Sequence, residues 1–199
     1  MRKFILAALL ISNFAWAQSA FFDENDNAIT KEQFHGRKLK NGELKVYNDS
    51  LKTTKILSER SESGEIGSGK IIDQLNASLG LKLKEDRPVI IIYHPGKDRC
   101  NSTGTSTPES AFLWFKELEK KANKIQKSEF IHIYKDKKGV KTINKIKWHK
   151  DPRNIIENTF FKYHYPCSSY VILYKNKYTS YFGEFPPDYI LRDLEAITP

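Results

Sequence analysis

The sequence predicts an α/β protein with a mixed central sheet. Three observations carry that expectation. From residue 88 onward, short apolar β-branched runs alternate with segments of helical periodicity, in the order strand, helix, strand, helix, strand, strand, helix. Pro88-Val-Ile-Ile-Ile-Tyr93 is continuous and apolar on both faces, as a central buried strand must be. Proline stands at helix starts after Thr107 and Asp151, and in Pro186-Pro187-Asp188, where its missing N–H costs nothing.

Taken in chain order, the first segment is not part of that sheet. Arg2 and Lys3 precede an apolar run from Phe4 to Trp16, and Ala15-Trp16-Ala17 offers small residues at the two positions a signal peptidase reads. A secretory signal over residues 1–17 is expected, followed by an N-terminal extension over 18–85 and the main domain over 86–199. The apolar run is shorter than the roughly 20 residues a spanning helix needs. No later segment is long and apolar enough to span a membrane, and there is no lipobox.

Asp23, Asn25 and Asn27 take the first, third and fifth positions of a calcium loop. Ala28 stands where glycine belongs and Phe34 where the bidentate glutamate belongs, so a polar turn and a short helix capped by Thr30 is the expected structure. Residues 42–49 suit a short strand, and 52–68, broken by serines and glycines, a loop. Ile71, Leu75 and Leu79 recur at helical spacing ahead of Gly80, which can end the helix.

After the strand at 88–93, Thr107-Pro108 opens a helix. Ala111, Trp114, Phe115, Leu118, Ala122 and Ile125 fall on one face of it. Phe130, Ile131 and Ile133 make a second strand, and Asp151-Pro152 opens a second helix with Ile155, Ile156 and Phe160. Tyr170 to Tyr174 is a third strand, Asn176-Lys177 a turn, and Tyr178 to Phe182 an antiparallel fourth. The last helix carries Tyr189, Ile190, Leu191, Leu194 and Ile197. A helical crossover makes the first two strands parallel and the closing hairpin makes the sheet mixed.

Charge narrows the function classes. The formal charge is +9, and +7 once Arg2 and Lys3 leave with the signal. The excess is mostly lysine, and lysine-, isoleucine- and asparagine-rich usage suits an AT-rich bacterial gene. In an exported chain this excludes nucleic acid as the expected partner and points to a solvated coat, an anionic envelope component or another exported protein. The segment 135–150 holds seven lysines with Val140, Ile143, Ile146 and Trp148 among them. Lys145, Lys147 and Trp148 are the candidate binding residues, on a basic hairpin or on an insertion with one wet face. The sequons at Asn48, Asn76 and Asn101 matter only in a eukaryotic secretory route.

The chain has two cysteines, Cys100 and Cys167, each just outside an apolar strand with a histidine close by, His94 or His164. In an oxidising compartment such a pair favours one disulfide.

The element order resembles the thioredoxin fold over about residues 86–197. The closing segment "SYVILYKNKYTSYFGEFPPDYILRDLEAI" is similar to that family's proline-led strand, lysine-asparagine turn, returning strand and last helix. The resemblance implies a three-layer α/β/α arrangement, places Ser169 where the family has its cis-proline, and sets Cys100 near the reactive-cysteine region. Cys100-Asn101-Ser102-Thr103 offers one sulfur where the family has two, and seven residues separate Cys100 from Pro108. On such a sheet the loops bearing Cys100 and Cys167 share one end. Three chemistries remain open there: a structural disulfide, a thiol–disulfide exchange pair assisted by His94, Lys97, Arg99 and His164, and a two-histidine, two-cysteine metal site of looser spacing than known zinc modules. No cofactor is expected, and the enzyme class, if there is one, is a thiol–disulfide oxidoreductase.

Overall fold

The computed structural model describes residues 20–48, 51–97, 106–140, 146–164 and 167–198. The expected signal lies outside them. The chain first builds a small sheet. Strands β1 (Ala20–Phe22) and β2 (Ala28–Ile29) form a hairpin, α1 (Lys31–Gly36) follows, and β3 (Leu44–Asn48) pairs antiparallel with β4 (Thr53–Leu57). The strand order is β2-β1-β4-β3, with β1 and β4 parallel. The calcium-like spacing has a local purpose. The Asp23 carboxylate accepts from the backbone N–H of Asn25 at 2.9 Å and of Asn27 at 2.8 Å, closing the β1–β2 turn. Thr30 and Gln33 form a reciprocal capping box on α1. Phe34 is buried, with its ring centroid 5.2 Å from that of Phe21.

The stretch 52–68, expected as a loop, holds two strands instead: β4 and β5 (Ser61–Glu65). All five residues of β5 are exposed, so no apolar periodicity marks it. Its strand character comes from backbone pairing with β10 (Lys177–Tyr181), a partner more than a hundred residues away. Gly64 passes over the Tyr178 ring so closely that a Cβ there would come within 3.1 Å of it. Arg60 anchors the entry to β5: its guanidinium donates to the carbonyls of Phe182 at 2.8 Å and Glu184 at 2.6 Å and lies over the Tyr181 ring.

The large sheet has the order β5-β10-β9-β6-β7-β8, from β6 (Val89–His94), β7 (Glu129–Tyr134), β8 (Trp148–Lys150), β9 (Ser169–Tyr174) and β10. β6–β7 and β7–β8 are parallel, and the other pairs are antiparallel. The sheet is mixed, as expected. Every residue of β6 and β9 is buried because each face of the sheet has its own core. Val89, Ile91 and Tyr93 pack with Ile72 and Leu75 of α2 (Ser68–Leu79) and Ile156 of α4 (Ile155–Phe160). Ile90 and Ile92 pack with Leu118 and Ala122 of α3 (Pro108–Ile125) and Ile190 and Leu194 of α5 (Pro187–Ile197). Each fully buried Val or Ile contributes about 1.5–3 kcal/mol. The segment 18–85 therefore supplies β5 and α2 to the large sheet in addition to the small one. α2 ends at Gly80, left-handed at φ 65°, as its position implied.

Of the two readings of 135–150, a basic hairpin or an insertion, the pairing of β8 fits the insertion: β8 runs parallel to β7, with His132 opposite Trp148, and a parallel pair cannot be closed by a tight turn. Two local expectations need correction. The second helix does not start at Pro152. A single 3₁₀ turn over Pro152–Asn154 comes first, with Arg153 and Asn154 left-handed at φ 52° and 55°. Buried Asp151 then caps α4 from outside, accepting from the N–H groups of Ile156 at 3.1 Å and Glu157 at 2.9 Å. Finally, the β9–β10 turn is Lys175-Asn176, at φ 45° and 49°, one residue earlier than expected. Two positive-φ residues are what a two-residue hairpin of matching twist requires. Among the described residues no helix is long and apolar enough to cross a membrane.

Candidate functional site

The register of β6 against β9 fixes the site. Tyr93 lies opposite Ser169, so the chain leaving β6 and the chain entering β9 meet at one rim of the large sheet. His94, 5% exposed, ends β6 there. Its carbonyl accepts from the Lys135 N–H at 2.9 Å, and its Nε2–H donates to the Lys138 carbonyl at 3.1 Å, which fixes the tautomer. Gly96 follows at φ 129° and approaches Asp136 so closely that a Cβ would lie 3.1 Å from the aspartate Cβ. The loop heading toward Cys100 is thus held against the end of β7 by His94 and Gly96. The Nε2–H of His94 is committed to a carbonyl.

Cys167 enters β9 on the same rim. It is half-buried and left-handed, at φ 74°. Cys100 and Arg99 lie outside the described residues, as does Lys145. Among the described residues no cysteine is free. Ser169, at the position the resemblance assigns to a cis-proline, is buried, and its Oγ accepts from the Gly183 N–H at 2.9 Å. No cis peptide occurs among the described residues. The serine hydroxyl links the start of β9 to the end of β10. The backbone N–H of His164 donates to the Tyr47 carbonyl in a bridge to the small sheet. Lys97 is exposed.

Beneath the rim, Tyr93 stacks on Phe161 with centroids 5.0 Å apart. Burial pushes its phenol up, and the carboxylates of Glu157 and Asp151 push the same way. It stays protonated at any physiological pH. Glu157 itself pairs with Lys135 at 2.5 Å.

A second cluster, on the far edge, escaped the sequence reading. His132 of β7 is 5% exposed, wedged between Phe115 at 4.6 Å and Trp148 at 5.0 Å between ring centroids. Its Nε2 and the Nε1 of Trp148 are both buried and have no hydrogen-bond partner. Burial pushes the imidazole down to about 4, with a smaller push from His149. His149 is itself held low by burial and by Lys147, while burial pushes Glu119 up. These groups line or adjoin a groove of about 390 Å³ between α3 and the edge of β7. The signal in the sequence was a histidine set between two isoleucines in the strand "EFIHIY". Trp148, a candidate binding residue, is half-buried in this cluster, and Lys147 is exposed at the groove. No group of three or more metal-binding side chains occurs among the described residues.

Comparison of the chain with protein-family models, with curated proteins and with solved structures finds no match in any of the three.

Proposed function

We propose that this is an exported protein with a thioredoxin-like three-layer domain, in which Cys100 and Cys167 are disulfide-bonded and the bond is structural. The observation that carries the reading is the Tyr93–Ser169 register, which brings the two cysteine-bearing connections to one rim. Two further facts support it. The parallel pair β6–β7 with α3 as its crossover, and the antiparallel hairpin β9–β10 followed by α5, support the reading. Cys167 is not free.

A structural role fits the chemistry better than exchange. This fold lowers a thiol pKa by setting it at a helix N-terminus, and α3 begins at Pro108, eight positions beyond Cys100. On this reading the bond ties a long connection to the sheet and leaves the surface to a partner, either another exported protein or an anionic envelope component.

The test is thiol labelling of the exported protein with and without reductant, followed by a redox titration. One bond per chain with a potential below about −300 mV is the expected result. Two reactive thiols in the untreated protein would overturn the reading. A bond that titrates well above that potential would replace the structural role with thiol–disulfide exchange.

A further inference from the structure

The groove between α3 and β7 has three properties that seldom coincide by chance of packing. Its walls are apolar: Leu81, Leu83, Phe112, Phe115, Phe130 and Ile131 line it. It is large enough for a small organic ligand. Lining it is His132, more than nine-tenths buried, whose Nε2 has no partner. A buried nitrogen without a partner destabilises the fold. Here two occur side by side, because the Trp148 Nε1–H behind it also lacks an acceptor. The strand edge contributes to the opening as well. β8 pairs only with His132, Ile133 and Tyr134, so among the described residues no strand covers the outer edge of β7 over Glu129–Ile131.

The groove's charge is also defined. Lys116 and Lys147, both exposed, line it, and Glu119 is the one acidic residue among its described lining. Burial shifts that carboxyl toward its protonated form, which lessens its repulsion of an anion. Burial and the neighbouring Lys147 hold His149 toward its neutral form.

The geometry points to a binding site for a small amphiphilic acid: an aromatic or short acyl body against the phenylalanine and leucine walls, and a carboxylate or sulfonate that meets Lys147 and Lys116. The ligand's body lies against the His132 ring, which lines the groove. This site is independent of the cysteine chemistry and stands or falls without it.

The probe is 1-anilinonaphthalene-8-sulfonate, titrated into the folded, oxidised protein, with N-phenyl-1-naphthylamine as the same aromatic body without its sulfonate. Saturable one-to-one binding of the anionic probe is expected, at least tenfold tighter than its neutral counterpart. Lys147→Glu reverses an exposed charge without touching the core, and Leu83→Trp fills the groove. Each is expected to weaken the anionic probe at least tenfold while the thermal midpoint stays close to that of the parent. Absence of saturable binding overturns the site. So does saturable binding that both variants leave unchanged, since the probe then sits elsewhere. Equal affinity for the two probes overturns the anionic specificity.

Discussion

Single residues set several of the energies that matter here, and His132 is the clearest. It is neutral in the folded protein because burial penalises its charged form, and its pKa falls from 6.5 to about 4. Between those values the unfolded chain holds a proton that the folded protein refuses. Unfolding is therefore favoured as pH falls from about 6.5 to about 4, by up to about 3 kcal/mol from this residue. Above pH 6.5 both states are neutral and the effect vanishes. Denaturation at pH 7 and pH 4.5 measures the loss, and His132→Phe is expected to reduce it. If the variant keeps the whole pH dependence, other groups cause it. Asp151 acts in the opposite sense to an ordinary surface aspartate. Burial raises its pKa, while the α4 N–H groups it caps hold the rise back.

At the scale of elements, the contrast between β5 and β6 is instructive. β6 announces itself, since four consecutive β-branched residues admit few alternatives to a buried strand. β5, "SESGE", has neither apolar content nor alternation, and it exists because β10 offers an unpaired edge. Arg60 holds the pair in register through two carbonyls and the Tyr181 face. Arg60→Ala is expected to destabilise the protein by about 1–3 kcal/mol. It should also raise amide hydrogen exchange in β5 and the end of β10 before it does so in β6. Uniform protection loss across the sheet would show that β5 is not a separately opening unit. The β7–β8 pair teaches a similar lesson. Lysine alternation correctly marked an extended segment near Trp148 but said nothing of its direction, because alternation is the same in parallel and antiparallel strands.

For the whole molecule, the proposed bond between Cys100 and Cys167 is the longest-range constraint. Removing it by Cys100→Ser or Cys167→Ser is expected to lower stability by up to about 4 kcal/mol, since either change frees the same loop in the unfolded chain. Denaturant melts of the two variants should agree with each other and with the reduced parent. A parent whose midpoint ignores reductant would argue against the bond.

Much of the architecture was legible in the residues themselves. The α/β class, the central strand, the α2, α3 and α5 helices with their stops and caps, and the closing hairpin all follow from local periodicity and from proline and glycine placed at helix ends, features that act within a few residues. What the tertiary structure alone decided is the set of relationships that local pattern cannot encode: β5 recruited to the edge by β10, β8 laid parallel to β7, Asp151 capping a helix it does not begin, and His132 sealed beside Trp148. Each depends on a partner distant in sequence or on a turn whose conformation is set by what it packs against. Hydrophobic periodicity reports which face of a segment is buried, never by whom.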